Sequence, residues 1–475
     1  MLERSDICKG NLPFPHTKTT PIDILPTQLG IKDFESAQFT LSYALGIQAY
    51  IYGYSLVLHE QKKRLHIANL SPINTLFYSD RLVSPSYNPF ASGENIRPNA
   101  DTLYATGYLD LSLTAVYLTV PADPSGKRYY SVQLFDAYNN VAYNISNRTT
   151  ASTAGTFIIV GPDQHQQSYH NGMNIIMAPT NSIFVVIKVE VEGKQDLFTA
   201  IQFEKNIRIT PVKAVPPPPP KPLIPSTIFS SPRFYFLMSE LMRENPPPRR
   251  DTPVVEQYKL IGINCATGFR ESELTLATKR GLEKAVINDN AQSIVSAGTA
   301  YYTRLTSRPW ITIFPLGHYG DQYLLRASIA KNVALANIPQ EEFYQVLFID
   351  SNQRSLLYGS NHYQLHFSPE QIPQSFINFW TIDMYTSDGK FVPNPIERYS
   401  IGSNTETLQY NADGSLDIII SPYVPPQQRS NWLPSPQGQV FNLVLRTFNA
   451  TPSYIQNPRT PGVELIAQLG GDRQI

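Results

Sequence analysis

The stretch RPNADTLYATGYLDLS, Arg97–Ser112, opens as a polar turn and runs straight into strict alternation. Leu103, Ala105, Gly107, Leu109 and Leu111 fall on one side, and Thr102, Tyr104, Thr106, Tyr108 and Asp110 on the other. A period of two with one apolar and one Tyr/Thr face predicts a strand lying on a core. The turn ahead of it gathers Arg97, Asn99 and Asp101 at the strand's mouth, with Tyr104 just inside.

The neighbouring segments repeat the pattern. Val116–Val120 ends at Pro121, Tyr129–Phe135 puts Tyr130, Val132 and Leu134 on one face, and Thr156–Val160 stops at Gly161-Pro162. Ser182–Glu192 sends Ile183, Val185, Ile187, Val189 and Val191 inward and Lys188, Glu190 and Glu192 outward. Short strands separated by turns predict a sandwich or jelly roll. Upstream, residues 1–33 read as an irregular arm and 34–66 as a helix leading a first β domain over 34–213. Gln38–Leu58 carries no charge, but its Gln48, serines, tyrosines and glycines fit a buried helix better than a membrane span. His59-Glu60 with His66 does not have the H-E-x-x-H spacing of a zinc protease and reads as charges at a helix end.

Composition changes at Val215. Pro216–Pro220 and Pro246–Pro248 mark a stiff, Pro-rich linker over 214–253, with a short helix at Arg233–Glu244. Residues 254–315 form a helical middle segment, and Asp321–Ala334 and Pro339–Leu347 also predict helices. A second β domain covers 316–460, followed by a tail over 461–475. In it Tyr363, Leu365 and Phe367 alternate with His362, Gln364 and His366, and Trp380, Ile382 and Met384 with Thr381, Asp383 and Tyr385. Asp413-Gly414 is a hairpin turn, and Val440–Phe448 is the last clear strand. The fold class expected is therefore mainly β with helices (α+β), as two jelly-roll-like β sandwiches joined by a Pro-rich and helical middle.

At 475 residues the chain is too long for one core. Its 38 Lys and Arg balance 38 Asp and Glu, which gives no pull toward nucleic acid or anionic membranes. Cys8 and Cys265 make neither a disulfide framework nor a zinc site, as in a reducing compartment, and MLERSDICKGN has no apolar segment of a signal peptide. The compartment stays open between the cytoplasm, which the missing signal favours, and export. The sequons at Asn69, Asn144, Asn147 and Asn449 matter only in a secreted eukaryotic protein. No G-x-S-x-G elbow, P-loop or G-x-G-x-x-G is present, so the usual hydrolase, nucleotide and dinucleotide classes lose their support.

NADTLYATGYLDLS, RYYSVQLFDAY and NRTTASTAGTFIIVGP together resemble the domain-of-unknown-function family 1254. YGSNHYQLHF, FWTIDMY, NPIERYSIGS, NADGSLDIIIS and NWLPSPQGQVFNLVLR resemble its companion, family 1214, with QYKLIGINCATGF and HYGDQYLLRASIA as the segment between. The resemblance covers roughly residues 35 to 460. It implies two jelly-roll-like domains similar in architecture to the double jelly-roll capsid proteins of large DNA viruses. No activity, catalytic residue or cofactor comes with it. It also implies export, for which this chain shows no signal, and an arginine where this chain has Lys188, a residue without the planar two-pronged guanidinium.

Three clusters are candidates for chemistry. In the first, Asp101 can serve as a general base or hydroxyl acceptor and Arg97 as an anion holder, beside Asn99 and Tyr104. The structural alternative is a capped turn with an internally paired arginine. In the second, Trp432 can stack on a sugar or aromatic ring while Arg398 binds a carboxylate, near Asn394, Glu397, Tyr399 and Asn431. Its alternative is a buried tryptophan with asparagines bracing two loops. Asp101 and Glu397 are the two carboxylates for a catalytic role. In the third, His362 and His366 share a strand face, but four residues span roughly 13 Å, too far for one ion. His165 and His170 lie in a polar loop. No metal or other cofactor is expected. These readings lead to a soluble protein that binds a polar small molecule or glycan in a cleft. A hydrolase or lyase, and a structural homo-oligomer, are the alternatives.

Overall fold

The computed structural model describes residues 31–90, 97–164, 174–216, 218–307, 309–352, 355–373, 378–426 and 429–467. Cys8, His165, His170 and nearly all of the N-terminal arm lie outside them. Helix and strand account for 33% and 27% of the residues, so the helical scaffold is larger than a Tyr-, Phe- and Pro-rich composition suggests.

The first β unit is two sheets face to face. One has five strands in the order β1-β2-β8-β4-β5: Phe77–Tyr78, Thr102–Asp110, Ser182–Glu190, Tyr130–Asp136 and Val141–Ser146. The other has four in the order β7-β6-β3-β9: Asn174–Met177, Gly155–Val160, Val116–Val120 and Arg208–Pro211. Leu103, Ala105 and Leu109 of β2 and Ile183, Val185, Ile187 and Val189 of β8 meet Val116, Leu118 and Ile159 across the layer. β2 pairs antiparallel with β8, Thr102 opposite Glu190 through Asp110 opposite Ser182. The alternation read from the sequence thus lines the core as expected.

The second unit repeats the plan. Its larger sheet runs β10-β11-β12-β18-β14-β15 (Thr303–Ser307, Trp310–Ile313, Glu342–Leu347, Phe441–Phe448, Trp380–Thr386, Ser400–Gly402). Its smaller sheet runs β17-β16-β13-β19 (Trp432–Pro434, Leu416–Ser421, His362–Phe367, Gly462–Ala467). Trp380, Ile382, Met384, Leu443 and Leu445 face Tyr363, Leu365, Ile418 and Ile420. Four elements differ from the sequence expectation: β10 and β11 are strands inside the stretch 254–315 that was expected to be helical, and two more lie further on. Residues 342–347 form a strand where a helix was expected, because Tyr344 and Val346 pack on one face while Phe343 and Leu347 bury on the other. A strand apolar on both sides carries no clean alternation. Residues 462–467, expected within a tail, extend the smaller sheet by pairing with β13.

Helix α1, Ile31–Asn69, is the longest element, and it is uncharged over Gln38–Leu58 because it is buried among other helices. Its neighbours include Arg233–Glu244 (α3, after α2 at Gly193–Asn206), Leu276–Val286 (α4) and Tyr323–Asn332 (α6, after α5 at Asn290–Ala297). A Cβ on Gly281 of α4 would lie 2.7 Å from the Phe39 carbonyl, so glycine permits that close crossing. No described helix is long and apolar enough to cross a membrane. His59 and His66 are not free charges at a helix end: the His59 Nε2 lies 2.8 Å from Ser182 Oγ, pinning α1 to β8, and the His66 Nε2 lies 2.9 Å from Ser71 Oγ just past the helix. Cys265 is buried in the helical core and disulfide-bonded, which runs against the expectation that the two cysteines make no disulfide framework.

Candidate functional site

The faces of β2, β4 and β8 that point away from the first core do not meet solvent. Tyr104, Tyr108, Phe135, Phe184 and Val186 pack against Tyr344, Val346, Tyr385 and Val444 of the second unit's larger sheet. The two β units therefore share a third layer, and every polar residue on those faces needs a partner inside it.

They find one another in a chain of alternating charge. Lys188 pairs with Glu342. The other Glu342 oxygen lies 3.1 Å from Arg446 Nε, and Arg446 Nη1 donates to Asp383 at 2.5 Å and to the Tyr385 hydroxyl at 2.9 Å. All four ionic side chains are essentially shut off from solvent. The Lys188 that replaces the expected arginine thus has one carboxylate to satisfy, which a point charge does without a fork.

The turn before β2 docks onto the end of this chain. The Arg97 carbonyl accepts from Arg446 Nη2 at 2.6 Å, and the Pro98 carbonyl from the Tyr385 hydroxyl. Asn99 Nδ2 donates to Thr381 Oγ1 at 3.3 Å, its backbone N–H donates to the Tyr104 hydroxyl at 2.9 Å, and its Oδ1 accepts from the Asp101 N–H at 2.7 Å. Arg97 itself, at a left-handed φ of 60°, donates through Nε to Asn442 Oδ1 at 3.2 Å. Ser400 of β15 donates to Asp101 Oδ2 at 2.7 Å. All four residues of the first cluster thus sit at the seam between the β units.

Electrostatics single out Asp101. Burial, then the neighbouring Asp383 and Glu190, push its carboxyl from 3.8 up to about 7, against the Ser400 hydrogen bond and Arg446. Burial also raises Asp383. It takes Glu190 to about 7 as well, although Glu190 accepts from the Tyr129 N–H at 2.7 Å and from Asn404 Nδ2 at 2.8 Å. Charge balance explains the direction. Lys188 and Arg446 can neutralise two carboxylates, Glu342 and Asp383, and two more acids in the same layer favour their protonated forms.

The second cluster is organised differently. Arg398 Nη1 donates to the Ser430 and Trp432 carbonyls, each at 2.8 Å, and Nη2 to Thr407 Oγ1 at 3.0 Å. Trp432 is buried, with Nε1 donating to the Ser421 carbonyl at 2.9 Å. Asn394 receives the Arg398 N–H, and Asn431 Nδ2 donates to the Gln409 and Asp417 carbonyls. Glu397 stands exposed on that turn at a φ of 51°. Tyr399 connects the clusters: its ring stacks on Phe391, which stacks on Tyr385, and the next residue is Ser400. The structure therefore brings Tyr399 toward the Asp101 group, while Arg398 and Trp432 brace the loop behind it.

At the third cluster, His366 Nδ1 lies 2.7 Å from Asp417 Oδ1, and among the described residues no group of three or more His, Cys, Asp or Glu side chains could hold a metal.

Residues 73–211 match the model of a family described as "Protein of unknown function (DUF1254)", and residues 341–452 that of DUF1214. The two matches fall on the first and the second β unit. No curated protein matches it. Among solved structures it is similar to the VPA0106 protein from Vibrio parahaemolyticus, with a TM-score of 0.67 at 20% identity over 90% of this chain and 100% of that one. A putative uncharacterized protein from Burkholderia cenocepacia aligns over 93% of this chain and 98% of its own at 11% identity and a TM-score of 0.45. The first likeness shows the fold and extends it across both units. Lys188 and Asp101 belong to the DUF1254 unit, and Glu342, Asp383, Ser400 and Arg446 to the DUF1214 unit. The seam is thus where the two families meet.

Sequence reasoning missed Glu190, Glu342, Asp383 and Arg446 as members of a site. The available signal was a lone charge inside an otherwise apolar strand, as with Asp383 between Ile382 and Met384 and Arg446 between Leu445 and Thr447.

Proposed function

We propose that the protein binds a polar, hydroxyl-bearing small molecule, a glycan or a piece of one, at the mouth between the DUF1254 and DUF1214 units, with Asp101 as its central contact. The observation that carries this reading is the state of the Asp101 carboxyl. Oδ2 is held by Ser400, Oδ1 has no hydrogen-bond partner among the described residues, and the residue keeps partial exposure at the edge of a buried network. A carboxyl at about 7 can accept from one hydroxyl and donate to another at neutral pH. Arg97 and Asn99 frame it on one side and Tyr399 on the other, with Arg398 and Trp432 fixing the loop that carries Tyr399 and Ser400. Calorimetric titration with mono- and oligosaccharides tests the reading. Asp101→Ala and Ser400→Ala should each weaken binding about tenfold or more, the worth of one hydrogen bond to a charged group. Saturable binding that both variants retain sinks it.

The same carboxyl favours a second reading, a hydrolase or lyase. A side chain titrating near 7 is matched to general acid or base work, and Asp101 takes that role rather than the solvent-exposed Glu397. Turnover of chromogenic glycosides with a pH-rate limb near 7, lost in Asp101→Asn, separates this reading from simple binding. Two two-sheet units in tandem also fit the jelly-roll, capsid-like plan. A discrete homo-oligomer in light scattering would favour that assembly role.

A further inference from the structure

A cavity of about 360 Å³ opens in the second β unit, between residues 370–373, which follow β13, and residues 451–459, which follow β18. It shares no lining residue with the Asp101 group. Its size is in the range of pockets that enclose small organic ligands, roughly 300 Å³ upward. Ile372, Pro373 and Tyr454 lie buried at its base, and the exposed lining is mostly polar. The Tyr454 hydroxyl donates to Gln345 Oε1 at 3.0 Å, so the ring presents a fixed wall.

The rim carries one charge of each sign. Glu370 uses Oε2 to accept from Ser368 Oγ at 2.8 Å, and its other oxygen has no partner among the described residues. Arg459 is exposed, and no side-chain hydrogen bond or ion pair occupies its guanidinium among the described residues. The Arg459 charge reaches the Glu370 carboxyl without forming a salt bridge with it. A cation and an anion held apart on the rim complement a ligand that carries the opposite pair on a short backbone.

We propose that this cavity is a second binding site, for a short zwitterion such as an α-amino acid or a dipeptide. The guanidinium of Arg459 takes the ligand carboxylate, Glu370 takes its ammonium group, and the ligand side chain lies on Ile372, Pro373 and Tyr454. The site is separate from the seam and does not depend on what the seam binds.

Calorimetry of the full chain with L-leucine, glycyl-L-leucine and N-acetyl-L-leucine amide tests the assignment. Saturable binding of at least one free zwitterion is expected, with no binding of the capped amide. Arg459→Gln and Glu370→Gln should each weaken it about tenfold or more. Both side chains are exposed, so neither variant should disturb folding, and unchanged circular dichroism checks that. Asp101→Ala should leave this binding untouched, which keeps its outcome distinct from that of the seam. The proposal is overturned if no zwitterion gives saturable heat up to millimolar concentration, if the capped amide binds equally well, or if both charge variants bind like the wild type.

Discussion

Asp101→Asn removes an ionisable group from the seam while keeping its shape, and the expected result is a protein more stable than the wild type above neutral pH. Burial beside Asp383 raises the Asp101 carboxyl from 3.8 to about 7 in the folded state. A raised value means that the folded chain holds the proton more tightly than the unfolded chain does. The favourable contribution is therefore fully present below 3.8 and is lost as pH rises through about 7. In full that rise corresponds to about 4 kcal/mol, of which about 2.7 kcal/mol falls between pH 5 and pH 8. Partial exposure of the residue roughly halves the effect, leaving about 1.4 kcal/mol. Asparagine cannot ionise and can still accept from Ser400. Trp310, Trp380 and Trp432 all report from the second unit, so urea unfolding followed by fluorescence at pH 5 and pH 8 reads the stability of that unit. The variant's advantage should grow by about 1.4 kcal/mol between those two conditions. Glu190 titrates over the same range in both proteins, so only its coupling to Asp101 enters the difference. Parallel pH profiles for variant and wild type would show that Asp101 is ordinarily solvated, and the charge-balance argument for the seam would fall with it.

Three further outcomes follow from the same packing. Arg446→Met leaves Asp383 without its cation and Glu342 with Lys188 alone, both buried, and should cost about 3–5 kcal/mol, read as a drop in the urea midpoint. Glu204 is fully buried, neither carboxylate oxygen has a hydrogen-bond partner among the described residues, and burial raises it to about 8. Glu204→Leu should therefore stabilise by roughly 1–2 kcal/mol, and by more at pH 9 than at pH 6, in the same unfolding assay. In Gly107→Ala the new Cβ would lie 2.3 Å from the Thr75 carbonyl, so β2 must shift at a cost of about 1–3 kcal/mol, visible as a lowered melting temperature.

Strands with one apolar face were legible letter by letter, because a period of two survives whatever covers the other side. β2 and β14 were placed from alternation alone, within a residue of the observed ends. Failure came where both faces are buried. β12 reads as a helix because Phe343, Tyr344, Val346 and Leu347 offer no polar side, and only its pairing with β18 on one edge and β11 on the other reveals a strand. The site failed to show for the same physical reason. Lys188 and Glu190 look solvated when β8 is read alone, and they do point out of their own sandwich, but into the second unit rather than into water.

That distinction decides how much function a sequence of this kind can disclose. A charged residue on the outer face of a lone sheet costs nothing, whereas the same residue in a covered layer must be paired or neutralised. Lys188 and Glu342 are 154 positions apart, and Asp101 and Ser400 are 299 apart. No local pattern links such pairs, and no motif was needed to build them. What the sequence does expose is the anomaly left behind in each strand, a single ionisable side chain where alternation permits polar contact but apolar neighbours surround it. Asp383 and Arg446 both meet that description, and they pair across adjacent strands whose register sets Thr381 opposite Arg446 and Asp383 opposite Val444. Two lone charges of opposite sign on strands expected to be neighbours are therefore a readable sign of a covered sheet face. Applied to this chain, that criterion moves the candidate site from the turn at Arg97 to the layer beneath it, where the protonation of Asp101 is set by both units together.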